Sequence, residues 1–256
     1  MRKSNLKGAE LSFRTRVRRL LFPPACISCG ELLPYNAVGG EAVLCRNCRG
    51  AFEAAKLETC EICGRPMLDC RCAQRMLAGS GVRRVVKLAG YDPADPHACI
   101  NRLVNNNKRV RNRDGFAFLA AQLAPALMRE LPQDTLITYC PRSRRARREH
   151  GFDQAEELAR GIAAATGFEL CRPLTRRRLA SARAQKTLGY SARVWNAGKS
   201  VSLDGSVDVR GRVVALVDDV VTTGATMSAC ASLLLGAGAA EVVGVCIATV
   251  TEHNQL

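Results

Sequence analysis

Aromatic side chains are scarce in this chain: seven Phe, four Tyr and one Trp make up 5% of its 256 residues. A protein that reads unpaired bases by stacking needs a platform of such rings, and no platform is evident around Trp195. Histidine is scarcer still. His97, His150 and His253 sit in unrelated contexts, so no nucleophile–histidine–carboxylate arrangement is legible. No apolar run approaches the roughly 18 residues that a membrane-crossing helix needs, so an integral membrane protein is not expected. The basic start, "MRKSNLKGAELSFRTRVRRLLFPPAC", lacks the apolar centre of a secretory signal, and a cytoplasmic protein is the expectation. The Walker A pattern is missing too, which disfavours an ordinary P-loop ATPase.

What is present is a chain long enough for one or two domains, with 47% apolar residues to build a core. The net charge of +15 favours a polyanionic partner, either nucleic acid or a phosphorylated small molecule. Arginines crowd into "KRVRNR" (108–113), "RSRRARR" (142–148) and "RPLTRRR" (172–178). The early stretch "RTRVRRLLF" reads as a short amphipathic helix. It would either contact a protein partner or an anionic membrane surface, or be packed down by Leu20, Leu21 and Phe22.

Thirteen cysteines are far above ordinary usage, and eight of them fall early: Cys26, Cys29, Cys45, Cys48, Cys60, Cys63, Cys70 and Cys72. Three pairs are C-x-x-C, two of them in "CISCG" and "CEICG", where the trailing Gly permits a tight turn around a metal-bound sulfur. Two such turns supply four thiolates to a tetrahedral zinc ion, so eight thiolates imply one or two structural zinc ions. A disulfide framework is the competing reading, and the missing secretory signal argues against it. Sequence order favours Cys26/Cys29 with Cys45/Cys48, and Cys60/Cys63 with Cys70/Cys72, with an interleaved pairing as the alternative. The remaining five cysteines stand in mostly apolar surroundings and read as small core residues.

From about residue 80 the pattern alternates between apolar runs and amphipathic stretches: "VRRVVKLAGY", "GFAFLAAQLAPALMREL", "DTLITYC", "DQAEELARGIAAATG", "RVVALVDD", "TMSACASLLLGAG" and "EVVGVCIATV". Such alternation predicts βαβ units and a mostly parallel sheet flanked by helices, with ligands beyond the carboxyl ends of its strands. "VVALV" reads as a central strand buried on both faces, so Asp218 and Asp219 would emerge at that edge. "VTTGAT" then opens a helix whose free N–H groups form a phosphate cradle, with Gly224 allowing close approach and Thr222, Thr223 and Thr226 adding hydroxyls. Carboxylates beside a phosphate fit a ligand that also carries ribose hydroxyls or a Mg²⁺ ion.

"VVALVDDVVTTGAT" resembles the phosphoribosyl pyrophosphate (PRPP) loop of the type I phosphoribosyltransferases. With the cysteine module ahead of it, the chain is similar to the ComF/GntX-like family, associated with competence for DNA uptake. Two further stretches carry the likeness: "ITYCPRSRRARREHGFDQAEELA", with His150 and Asp153 where the family's "RGFNQ" has Arg and Asn, and "QKTLGYSARVWN", through Gln185, Leu188, Arg193 and Asn196. The resemblance implies a basic N-terminal segment (1–24), a double zinc-ribbon module (25–75) and a phosphoribosyltransferase-like domain (80–252). It also implies displacement of pyrophosphate from PRPP, with Mg²⁺ on the leaving group and an acceptor that the sequence does not reveal. In those terms Val220, Val221, Thr222, Thr223, Gly224, Ala225 and Thr226 would line the 5′-phosphate. Asp218 and Asp219 would face the ribose hydroxyls and metal. Pro141, Arg142, Ser143 and Arg144 would form the pyrophosphate loop, Arg142 being the leading cation, and Lys108 would reach the phosphates. The segment from Arg176 to Asn196 would close over the site. The alternative is a non-catalytic adaptor for single-stranded DNA or for a protein of the uptake machinery, its PRPP site regulatory or vestigial. If one arginine-lined cleft serves both polyanions, PRPP and DNA compete for it.

Overall fold

The computed structural model describes residues 17, 19–38, 42–109, 112–142, 148–149, 151–176 and 201–250, apart from the side chains at 76, 108 and 109. The cysteine-rich start contains helix α1 (Arg46–Leu57) and leads through a short α2 (Arg75–Gly79) into strands β1 (Val85–Val86) and β2 (Ala89–Tyr91). Helices α3 (Cys99–Arg109) and α4 (Arg113–Glu130) follow, then β3 (Leu136–Tyr139), α5 (Gln154–Thr166) and β4 (Glu169–Leu170). Strands β5 (Leu174–Arg176) and β6 (Val201–Leu203) pair antiparallel. The chain continues with β7 (Val213–Val217), β8 (Val220–Val221), α6 (Ala225–Gly236), β9 (Glu241–Val245) and β10 (Ala248–Val250).

The main sheet runs in the order β4-β3-β7-β9-β1, every pairing parallel, so "VVALV" does form the central strand. Val214 to Val217 are buried, which a strand covered on both faces requires. A smaller parallel sheet, β2-β10-β8, was not legible in advance, because its two- and three-residue strands are too short to show a period.

Each "CxxCG" turn closes in the same way. The Gly30 amide donates to the Cys26 carbonyl at 2.9 Å and the Gly64 amide to that of Cys60 at 2.8 Å, with φ of +80° and +68°. That left-handed backbone is why glycine stands at both places. The cysteine module is not an appendage. Cys26, Cys45, Cys48, Leu44 and Phe52 belong to the same buried cluster as Phe116, Leu119 and Ile137, and the Phe52 and Phe118 rings lie 5.5 Å apart. The second ribbon is bolted on by Arg71, the residue inside "CRC". Its guanidinium donates to both Glu130 oxygens at 2.9 and 2.7 Å and to the Leu68 and Cys70 carbonyls, both at 2.8 Å. The remaining cysteines, Cys99, Cys140, Cys171, Cys230 and Cys246, are buried, as their apolar context predicts.

One expectation needs correction. Leu20, Leu21 and Phe22 do not pack against the fold: they are 73%, 71% and 73% exposed. The short segment is tethered through Arg19, whose guanidinium reaches the Tyr35 and Ala37 carbonyls at 2.7 and 2.6 Å, so the polar face is the one held. Among the described residues, no helix is long and apolar enough to cross a membrane.

Candidate functional site and metal centres

The eight early cysteines gather as two groups, Cys26/Cys29/Cys45/Cys48 and Cys60/Cys63/Cys70/Cys72, with the sulfurs of each group within 4.8 Å of one another. This is the sequential pairing, not the interleaved one. Four thiolates around a metal at about 2.3 Å stand about 3.8 Å apart along each edge of the tetrahedron, and Cys29 Sγ lies 3.7 Å from Cys45 Sγ. Backbone amides support the sulfurs, that of Cys48 donating to Cys45 Sγ and that of Cys72 to Cys70 Sγ. The donor set therefore fits zinc, and four protein ligands leave no open position for substrate. Within the first group, burial would raise the Cys26 thiol, but amides of Cys29, Cys45 and Ser28 prevail and bring it down to about 7. In the second, burial first and then the neighbouring thiols Cys63 and Cys70 push Cys72 up to about 12.

The sheet's carboxyl edge carries the other site. The Asp218 amide still bonds to the Val245 carbonyl at 2.9 Å, so the strand ladder runs up to the first carboxylate. Asp218 Oδ1 accepts from the Asp219 amide at 2.9 Å and Asp219 Oδ1 from the Val220 amide at 2.8 Å, which fixes both side chains. Burial, and then the charge of Asp219, push the Asp218 carboxyl well above the usual carboxylate range. Asp219 Oδ2 is 3.1 Å from Arg142 Nη2. The cation expected for pyrophosphate is thus already oriented by one of the two expected carboxylates.

The loop that follows turns at Gly224, φ +77°, and α6 begins at Ala225, whose amide donates to Thr223 Oγ1 at 3.4 Å. Thr223 therefore accepts at the helix entry. Sequence reasoning assigned Gly224 to close ligand approach, yet its immediate reason is packing. A Cβ there would come within 2.9 Å of Leu77 Cγ from α2. Next to Leu77, buried Gln74 donates from Nε2 to the Val250 carbonyl at 2.9 Å and the Val221 carbonyl at 3.3 Å, and Lys87 Nζ donates to the Cys72 carbonyl at 3.0 Å. The stretch leaving the second cysteine group thus buttresses the loop from below. Gly224→Ala should destabilise the protein by about 1–3 kcal/mol through combined backbone strain and overlap, read as a lower denaturant midpoint.

Pro141 is buried at the end of β3, and the Arg142 amide donates to Asp153 Oδ2 at 3.0 Å. Asp153 Oδ1 meanwhile caps α5 by accepting from Ala155 and Glu156 at 3.2 and 3.5 Å. Both carboxylate oxygens are used as acceptors, Oδ2 by the Arg142 amide and Oδ1 by the helix amides, so the family's Asn, with one acceptor oxygen and one NH2 donor, would keep only one of the two sets. Asp153→Asn should lower stability by about 1 kcal/mol, because its NH2 replaces one accepting oxygen. Asp153→Ala should lose about 1–2 kcal/mol, read from thermal melts, and free the 141–142 turn, read from hydrogen exchange of the Arg142 amide.

Val220, Val221, Ala225, Thr222 and Thr226 complete the 218–226 constellation that the structure brings together. Ser143, Arg144, Gln185 and Arg193 lie outside the described residues, and Lys108 falls on α3 with its side chain outside them. Sequence reasoning missed Gln74 and Leu77, which carry no motif.

Two domain families match in the order that the sequence implied: the double zinc ribbon domain over residues 17–80, and the phosphoribosyl transferase domain over residues 119–255. The chain belongs to the phosphoribosyltransferase-domain family, in its ComF/GntX-like branch. Curated relatives of this ComF/GntX-like chain include the DNA utilization protein YhgH of Salmonella typhi, 29% identical over 243 residues that cover 89% of this chain and 98% of the relative. The protein of that name from Salmonella typhimurium is 30% identical over 245 residues, with the same coverage. Solved structures that align include TT1426 from Thermus thermophilus, at 20% identity and TM-score 0.33 over 56% of this chain and 86% of that one. A purine phosphoribosyltransferase from Pyrococcus horikoshii aligns at 18% identity and TM-score 0.33, over 53% and 72%.

Proposed function

We propose that this protein binds PRPP with Mg²⁺ at the carboxyl edge of its sheet and transfers phosphoribose to an acceptor, releasing pyrophosphate. The observation that carries the reading is the continuous arrangement from Asp218 to Thr226: two fixed carboxylates at the end of the central strand, then a turn into the start of α6. The helix entry would take the 5′-phosphate, with the α6 dipole and free amides opposing its charge. The two carboxylates would face the ribose hydroxyls and hold Mg²⁺, which when bound neutralises charge building on the leaving pyrophosphate. Arg142, oriented by Asp219, would support that same charge, and the donors it does not give to Asp219 are available for this. Catalysis of this kind rests on positioning more than on covalent chemistry. The zinc ribbons would be structural, with the second one setting the height of the phosphate loop through Gln74 and Leu77.

A role in DNA uptake is the cellular setting we infer, supported by the curated relatives named DNA utilization protein. Single-stranded DNA or a protein of the uptake machinery would then be a partner, and the cytoplasm the place of work. Calorimetric titration of Mg²⁺ and PRPP into the zinc-loaded protein tests the first reading. Micromolar to submillimolar binding, lost in Asp218→Asn/Asp219→Asn, is the expected result. No binding by the folded wild type would overturn it.

A further inference from the structure

Beside the PRPP-type loop lies a cleft of about 510 Å³, bordered by Tyr139, Arg142, Glu156, Arg160, Arg172 and Arg176. Four guanidiniums face one carboxylate in this lining, and with Arg142 paired to Asp219 it still keeps a net positive charge. The arginines are arranged and not scattered. Glu156 Oε1 accepts from Arg160 Nη2 and from Arg172 Nη2, both at 2.8 Å. The Glu156 side chain is only 14% exposed, whereas those of Arg160 and Arg172 are 49% and 52% exposed. A guanidinium has five N–H donors, so one bond each to Glu156 leaves most of them for a ligand. Across the cleft Arg176 Nη1 donates to the Pro141 carbonyl at 3.2 Å, which ties β5 to the loop holding Arg142. Burial would raise the Glu156 carboxyl, but Arg160 and Arg172 hold it below its usual range, so it is an anion at neutral pH.

A lone surface pair, Glu156 with Arg160 one turn on, would call for no ligand. The third member changes the account. Arg172 comes from the far side of β4, and gathering like charges around one oxygen is unfavourable unless another anion shares them. A planar fork held in place also suits phosphate oxygens better than a solvated lysine would.

We propose that the Arg160–Glu156–Arg172 fork is a second phosphate site, separate from the 218–226 loop, that takes a phosphate ester of a nucleotide or of a single-stranded nucleic acid backbone. Arg160 and Arg172 touch the phosphate, and Glu156 is a positioning residue that aims them. The site stands whether or not the neighbouring loop takes PRPP. When both are filled, an acceptor anchored here by its phosphate lies beside the pyrophosphate turn at Pro141 and Arg142.

The test titrates full-length, zinc-loaded protein with three probes: thymidine 5′-monophosphate, a ten-residue oligothymidylate without terminal phosphate, and thymidine. Wild type should bind at least one of the first two and not thymidine. Arg160→Gln/Arg172→Gln should weaken that binding tenfold or more, with zinc content and Mg²⁺–PRPP affinity unchanged at a temperature where melts show the variant folded. Arg160→Lys/Arg172→Lys, which keeps charge without the fork, should recover part of it. For the oligomer, the slope of log affinity against log salt should shallow by about 1.4, at about 0.7 for each lost contact. Binding of the monophosphate alone identifies a nucleotide ligand, and binding of the oligomer alone identifies a backbone track. The inference is overturned if wild type binds neither, or if the double variant binds as wild type does. It is overturned too if PRPP affinity falls in parallel, since the fork would then belong to the PRPP site.

Discussion

Stripping metal from the first cysteine group should unfold the whole protein in one transition, and Cys45→Ser should do the same. Structural zinc contributes roughly 10–16 kcal/mol in isolated zinc-finger peptides, as much as the total stability of an ordinary domain. Here that contribution cannot be confined to the module. Cys26, Cys45 and Cys48 stand in one buried cluster with Phe52, Leu119, Ile137 and Val217, so losing the knot opens the floor under α4 and the sheet. The second group should behave differently. Cys60, Met67 and Cys70 form a small satellite cluster, and Cys63 is exposed. Cys63→Ser should leave the sheet folded while loosening the 220–226 loop that Gln74 and Leu77 support. Far-ultraviolet dichroism during chelation, alongside hydrogen exchange of the loop, reads both. A sheet signal that survives with the first group empty would show an independent module. Acid should favour release, because the thiols must be deprotonated to bind metal and protons compete for them.

The parts of this architecture that sequence made legible are those written in local pattern. "VVALVDD" announces a buried strand ending in two carboxylates, and the central position of β7 and the fixed side chains of Asp218 and Asp219 follow it closely. The cysteine spacings likewise foreshadow both groups, because a C-x-x-C turn is complete within a few residues. What pattern could not show is contact across the chain. Gln74 reaches Val221 across 147 positions, and nothing in "CAQRML" marks a residue that supports a phosphate loop. Glu156 and Arg160 share a helical spacing that was visible, but Arg172 joins them only after β3 and β4 align. Of the charge-dense "RPLTRRR", Arg172 and Arg176 border one cleft, a placement that only the fold supplies. Leu20 to Phe22 misled for the converse reason: apolar residues beside arginines suggest packing, yet only the arginine found a partner.

The two aspartates should respond oppositely in stability while sharing one functional phenotype. The Asp218 carboxyl is raised well above its unfolded value, first by burial and then by Asp219. A group shifted in that direction costs the folded state nothing below about pH 3.9, where it is protonated in both states. Its penalty grows as pH rises from there to the raised value and is complete above it. Asp218→Asn removes the ionisable group and keeps an oxygen for the Asp219 amide, so the variant should melt higher than wild type at neutral pH. That gap should close as pH falls toward 4. Each kcal/mol recovered is worth about 2–4 °C in a chain of this size. Asp219→Asn should instead melt lower, by the equivalent of about 1–3 kcal/mol, because it breaks the 3.1 Å pair with Arg142. Both variants should lose PRPP binding, on the reading that the ribose and its metal need both carboxylates. Thermal melts between pH 4 and 8, beside calorimetric titration of each variant, separate the terms. A stabilised Asp218→Asn that still binds PRPP as tightly as wild type would place the ligand elsewhere. A variant that is stabilised and inert would mean the chain keeps a carboxyl at position 218 at a cost in stability because the ligand requires it there.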